Sequence, residues 1–443
     1  MIDERAKKSM ELYERAGELI PGKTQLVSRR ASQFAEGVSP VYAEHAKGSR
    51  FLDVDGNEYI DWVNCVSAVI LGHSDEVVNS AVKQQIDDSS LFTVNSPMEV
   101  ELAELLVDTI PSAEMVRYCK GGGEACTVAI KIARGNTGRD KILFSGYHGW
   151  HDWYQSVNYL ADPDTGEFPI TGIEPIGVPK ILAGTALPFT YGDLNNLEQL
   201  FEENKGEVAA VMMEPLRSGI PPEGYLESVQ HIVRANDAIL IFDEVSCGWR
   251  TRIGGIQEYT GVTPDMSVFA KAISNGFPMG VVVGSRDVME LAGRMFISSS
   301  YWSDNVGLAA SLATINELKN RKSVSEFELL GEKMRTAMQG AIDSVGVPAN
   351  VRGWHYRCAV NFDLPDDSLM PKVNTLFIQE MARRGIHCNI GFTPTLAHTD
   401  EDIQRTADAA EDTFKVVQRA LEGELDNLLD VDPKREPFRR FVT

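Results

Sequence analysis

Two apolar runs in the middle of the chain each end in a side chain that can do chemistry. Ala238-Ile239-Leu240-Ile241-Phe242 has no polar alternation and leads into Asp243 and Glu244. Met266-Ser267-Val268-Phe269-Ala270 leads into Lys271. A run of this kind reads as a parallel strand covered on both faces. The carboxyl ends of such strands form the edge where open α/β sheets bind ligands. Singly, each residue has a bland reading, because a lysine after a strand usually snorkels to water and an acid there often caps the next helix. Together they put an amine and an acid at one edge. A lysine in a partly apolar site can lose its proton and form a Schiff base with a carbonyl. A carboxylate can keep a pyridine nitrogen protonated, so that the ring accepts electrons.

Those are the two groups that pyridoxal phosphate needs from a protein. Other segments add to them. Gly121-Gly122-Gly123-Glu124 joins the expected strand Met115–Cys119 to a helix. Glycines before a helix let backbone amides approach an anion, with the helix dipole in support, although the same triplet also suits a simple turn. We expect phosphate contact through the Gly122 and Gly123 amides. Gly121-x-Gly123-x-x-Cys126 nearly matches the dinucleotide fingerprint, with Asp140 further on. Cys126 stands where close packing needs glycine or alanine, and Asp140 precedes the next strand instead of following it, so this oxidoreductase reading is disfavoured. Tyr147 follows the strand Lys141–Ser145, where an aromatic can stack on a flat ring. His148, His151 and Asp152 imitate a metal site but lack a third firm ligand, and no metal is expected. Trp150 suits either the core or a substrate wall. Glu214 ends another buried strand at the same edge, where it can meet a cofactor or bond a neighbouring loop.

FDEV…GWR followed by TPD…FAKAISNGFPMG resembles the class III, fold-type-I pyridoxal-phosphate aminotransferases, in particular the subgroup similar to glutamate-1-semialdehyde aminomutase. The resemblance runs over nearly the whole chain. It implies that Lys271 carries the cofactor and moves the proton, that Asp243 faces the ring nitrogen, that Tyr147 stacks on the ring and that Glu214 lies close by. It implies that Ser300 reaches the phosphate of a partner subunit, hence a homodimer with shared active sites. It also implies that Arg29 grips a substrate carboxylate through its bidentate fork. The family usually has a small hydroxyl residue in the phosphate loop, whereas this chain has Gly121 and Gly123 at the matching positions. Two further departures bear on the reaction. Ile390 stands where the aminomutases have an acidic residue, and Val66 where they have a tryptophan. Both favour an aminotransferase, moving an amino group from an amino acid to an aldehyde, keto acid or keto sugar, over a 2,1-aminomutase. A non-catalytic chain that only binds partners is disfavoured by retention of both Asp243 and Lys271.

The elements that must position these residues are legible as pattern. Residues 4–19 read as a helix stopped by Pro21-Gly22, and Ser49–Asp61 as a hairpin around Asp55-Gly56. From about residue 76, apolar strands alternate with helices over Val100–Thr109, Glu124–Arg134 and Leu226–Asn236, the pattern of a mainly parallel doubly wound α/β sheet. The expected strands are Met115–Cys119, Lys141–Ser145, Val208–Glu214, Ala238–Val245, Met266–Ala270 and Met279–Gly284. Gln155–Pro188 is rich in Pro and Gly and reads as irregular, as functional segments such as lids often are. After Ser300, long helices and a strand near Cys358–Phe362 suggest a smaller α+β domain. We expect residues 1–50 to join that domain, 51–315 to form the large one and 316–443 to complete the small one.

The chain has 443 residues, 43% of them hydrophobic, and a net charge of −22. Such an acidic surface disfavours nucleic acid and anionic membranes as partners. Six cysteines show no CxxC pairing, which suits free thiols in the cytoplasm. The charged amino terminus does not read as a signal peptide, and no apolar stretch approaches membrane-span length.

Overall fold

A computed structural model describes residues 2–161, 168–170, 173–217 and 219–434. The chain forms two compact units, one from the described residues of Met1–Asp75 and Ser325–Glu436, the other from Glu76–Val324. The expected divisions lay at 50/51 and 315/316, so the hairpin that was assigned to the large domain sits instead in the smaller unit. The strands explain why. β1 (Ala43–Lys47), β2 (Arg50–Asp53) and β3 (Glu58–Asp61) form an antiparallel meander, with Asp55-Gly56 at its turn and Gly56 at φ +87°. β3 then pairs in parallel with a short strand at Ile386–His387, near the other end of the chain.

The second unit carries the seven-stranded sheet. Its strands are β4 (Met115–Cys119), β5 (Lys141–Ser145), β6 (Ala186–Pro188), β7 (Val208–Met213), β8 (Ile239–Asp243), β9 (Met266–Phe269) and β10 (Gly280–Gly284). They lie in the order β4-β10-β9-β8-β7-β5-β6. Neighbours from β9 through β6 pair in parallel, and β10 runs antiparallel to both β9 and β4. Every residue of β7, β8, β9 and β10 is buried, as nearly continuous apolar runs require. β10 is antiparallel because only a 3₁₀ turn at Lys271–Ser274 and a short loop separate it from β9, too little chain for a helical crossover. β6 falls inside the stretch expected to be irregular. Its proline is tolerated because β6 is the edge strand; residues 162–167 and 171–172 of that stretch lie outside the described residues.

The helices follow their capping signals. Pro97–Thr109 opens with a Ser96/Glu99 capping box and Pro at its first turn. Gly122–Thr137 ends on Gly138 in the left-handed region. In the smaller unit, β11 (Ala349–Trp354), β12 (Arg357–Phe362), β13 (Ile386–His387) and β14 (Gly391–Phe392) accompany the helices Ser323–Val345, Met370–Arg383 and Asp400–Arg419. Among the described residues no helix is long and apolar enough to cross a membrane.

Candidate active site

The carboxyl ends of β4, β5, β7, β8 and β9 lie at one edge of the large sheet, and Gly122, Gly123, Tyr147, Glu214, Asp243 and Lys271 follow or end those strands. Asp243, the last residue of β8, is 3% exposed. A buried carboxylate needs partners, and Asp243 has three. Its Oδ1 accepts from the Val245 amide at 3.0 Å. Its Oδ2 lies 2.7 Å from His148 Nδ1 and accepts from the Cys126 thiol at 3.5 Å. Burial pushes the Cys126 thiol well above its usual range, and the Asp243 charge adds to the shift, so the sulfur stays protonated and donates. The ligating atoms of Cys126, His148 and Asp243 lie within 4.8 Å of one another. With the thiol protonated, this trio works as a hydrogen-bond network that fixes the carboxylate.

Lys271 follows β9 at φ +51°, in the left-handed region. That conformation costs a non-glycine residue about 1–2 kcal/mol, and strain of this kind concentrates at functional positions. The Nζ donates to Ser246 Oγ at 2.8 Å. Ser246, three residues past Asp243, therefore ties the two strand ends together. Sequence reasoning missed it, although its place directly after FDEV was a usable signal. It also missed the role of His148, which was weighed only as a metal ligand.

The loops are fitted closely around these groups. A Cβ on Gly122 would stand 2.8 Å from Val245 Cγ1. Gly146, at φ +125°, lies so near Glu214 that a Cβ would meet its Cγ and Oε2 at 2.8 Å. Glu214 is 6% exposed, and its Oε2 is 3.8 Å from Arg217 Nε. Tyr147 packs against the core and meets Tyr154 edge-on, with ring centroids 5.8 Å apart. The Tyr154 hydroxyl donates to the Gly146 carbonyl at 2.9 Å and holds this turn. The helix Gly122–Thr137 begins at the same edge with no side-chain cap on its amino terminus.

Trp150 is 69% exposed and Ser300 is exposed. Of the two readings of Trp150, the core is thereby excluded. Arg29, Val66 and Ile390 belong to the other unit. Arg29 is exposed on the 3₁₀ turn Val27–Arg29 and hydrogen-bonds Cys65. Val66 sits in a left-handed turn, with Asn64, Cys65, Val66 and Ser67 at φ +48°, +52°, +59° and +68°. Ile390 packs against that unit's core.

Glu244 is separate in role from its neighbour. It is 1% exposed and accepts from the Ile256 amide at 2.8 Å and from Gln257 Nε2 at 3.2 Å. Burial raises its pKa to about 7, against those hydrogen bonds. The folded protein then binds a proton that the unfolded chain releases near 4.5. The stability this proton contributes is complete below about pH 4.5 and is lost as pH rises to about 7, a change of about 3 kcal/mol. Glu244→Gln removes the titration. The wild-type melting temperature, measured relative to that variant, is expected to fall between about pH 5 and about pH 8; an unchanged difference contradicts the assignment.

The site can hold pyridoxal phosphate. A buried carboxylate with three hydrogen-bond partners, an amine just past the end of the adjacent strand, an aromatic turn and an uncapped helix terminus that opens on glycines match the cofactor's ring nitrogen, aldehyde, ring face and phosphate. Comparison with known proteins points the same way. The family Aminotransferase class-III matches residues 33–414. The chain is 32% identical over 425 residues to the 3-aminobutyryl-CoA aminotransferase of Cloacimonas acidaminovorans, covering 94% of this chain and 98% of that one. It is 34% identical over 432 residues to a glutamate-1-semialdehyde 2,1-aminomutase of an Exiguobacterium species, covering 93% and 98%. Among solved structures, an omega-transaminase from Sphaerobacter thermophilus superposes with a TM-score of 0.82 at 28% identity, covering 92% of this chain and 97% of that one.

Proposed function

This chain belongs to the class-III aminotransferases and is a pyridoxal-phosphate-dependent transaminase, and from that premise we propose how its residues divide the work. The observation that carries the proposal is the pairing of Asp243, fixed by His148, Cys126 and the Val245 amide, with Lys271 at the end of the adjacent strand. When bound, pyridoxal phosphate supplies an electron-accepting ring and a carbonyl that takes up the amino group. Lys271 would hold it covalently, Asp243 would accept from its ring nitrogen and the Tyr147 ring would lie against it, with Glu214 alongside. The Gly122 and Gly123 amides would face its phosphate. Lys271 Nζ, once free, takes the proton from the donor's α-carbon, and Ser246 Oγ keeps that amine at the strand end between proton transfers. Arg29 binds the substrate carboxylate, and Trp150 forms part of the substrate wall.

We further propose a homodimer in which Ser300 serves the partner's phosphate. In support, Ser300 lies in an exposed segment that also shows Phe296 at 88% and Tyr301 at 68% exposure, apolar surface that a second copy would cover. A fully active monomer in sedimentation contradicts this. Six free thiols, five of them buried, suit the reducing cytoplasm, where we place the protein.

The relatives include both a transaminase and an aminomutase. The transaminase reading is favoured by Ile390, which replaces the acidic residue of the aminomutases. A mutase must retain both amines of one substrate, and loss of a buried carboxylate partner weakens retention of a charged amine by about 1.5–3 kcal/mol, about ten- to a hundredfold. A ping-pong reaction with separate donor and acceptor follows. In rapid mixing, an amino donor alone should change the visible absorbance once, in proportion to enzyme, and a carbonyl acceptor should reverse it. Catalytic isomerisation of a single substrate with no co-substrate contradicts the transaminase reading.

A further inference from the structure

The phosphate end of the site is short of side-chain donors. The loop Gly121–Gly123 carries no side chains, and the helix behind it has no cap. Lys120 cannot make up the shortfall, because its Nζ is ion-paired with Asp304 and bonds the Pro278 carbonyl at 3.4 Å. Glu124 is turned back onto the Lys120 amide at 2.7 Å.

His151 lies beside the gap. Gly149, at φ +105°, brings its loop against the helix terminus so closely that a Cβ on Gly149 would stand 2.7 Å from Gly123 Cα. The next turn of that loop sets the His151 ring over Gly123. A Cβ on Gly123 would be 3.6 Å from His151 Nε2 and 3.5 Å from its Cδ2. This Nε2 is shut off from solvent and has no hydrogen-bond partner among the described residues. An orphaned buried imidazole nitrogen is costly unless a ligand completes it. The ring is steadied by Trp150, with centroids 4.5 Å apart.

We propose that His151 Nε2 donates to the cofactor phosphate and replaces the side-chain contact that the all-glycine loop cannot make. The inference rests on the cofactor reading given above and adds a residue to it. Burial lowers the His151 pKa against the pull of Glu124 and Asp152, so the imidazole is neutral before the phosphate arrives, and the proposal requires the tautomer that carries its proton on the partnerless Nε2. A phosphate acceptor makes this bond charge-assisted.

The test uses the full chain, freed of cofactor and titrated with pyridoxal 5′-phosphate or with pyridoxal, which lacks the phosphate. Binding is read from the visible absorbance and not from turnover. His151→Ala should weaken pyridoxal phosphate about ten- to a hundredfold and leave the affinity for pyridoxal unchanged, which also shows that the variant is folded. Gly123→Ser placed in the His151→Ala chain should recover part of the loss, because its hydroxyl would enter the space the ring vacates. Equal affinity of wild type and His151→Ala for pyridoxal phosphate overturns the contact, and so does an equal loss for both ligands. A wild-type chain that binds neither ligand overturns the cofactor reading itself, and the inference with it.

Discussion

Lys271→Ala is expected to lower kcat by at least about 10⁴-fold, the upper range for a positioned acid–base group, because the same amine also carries the cofactor. The loss should fall on kcat, since the substrate contacts stay in place. Stability should change little, because the Nζ makes a bond to Ser246 that alanine gives up while the strand ends remain buried. Added small amines should restore some activity, as they can take the proton from the same carbon. A variant within about tenfold of wild type would remove Lys271 from the reaction.

Asp243→Asn is expected to lower kcat by about 10²–10³-fold, comparable to removal of one preorganised electrostatic partner in a buried site. The substitution keeps an acceptor for the Val245 amide but loses the charge. It also turns a nitrogen or an uncharged oxygen toward His148 and Cys126, which both sit on Oδ2. The cofactor should still attach, so the protein stays coloured while turnover falls. His148→Ala should show a smaller loss in the same direction, because it removes one of three bonds that fix the carboxylate. Steady-state kinetics beside an absorbance spectrum separate the two effects. An Asp243→Asn enzyme with wild-type kcat would show that the charge plays no part.

Much of this site was legible as sequence because β8 and β9 are nearly continuous apolar runs, and such runs end at the ligand edge. Asp243 and Lys271 inherit their positions from that rule. The partners of Asp243 were not legible, because the His148 contact joins residues 95 apart and the Cys126 contact residues 117 apart; periodicity carries no record of such pairings. The antiparallel run of β10 depends on loop length more than on composition. β6 was hidden by the Pro- and Gly-rich stretch around it, because an edge strand needs neither alternation nor a full set of amide donors. The hairpin β2–β3 was read correctly as a local structure and assigned to the wrong neighbour, since its partner β13 lies more than three hundred residues away in the chain. The left-handed turn at Asn64–Ser67 left little signal, for only Asn64 is of a type that visits this region readily, and Cys65, Val66 and Ser67 are not.

The central claim, that Lys271 carries the cofactor opposite Asp243, is tested most directly by borohydride reduction of the purified, pyridoxal-phosphate-loaded protein followed by peptide mass mapping. A reduced pyridoxyl phosphate fixed on the peptide that contains Lys271, and absent from the Lys271→Ala protein, is the predicted result. Label on another lysine, or no label from a protein that has bound the cofactor, would contradict it.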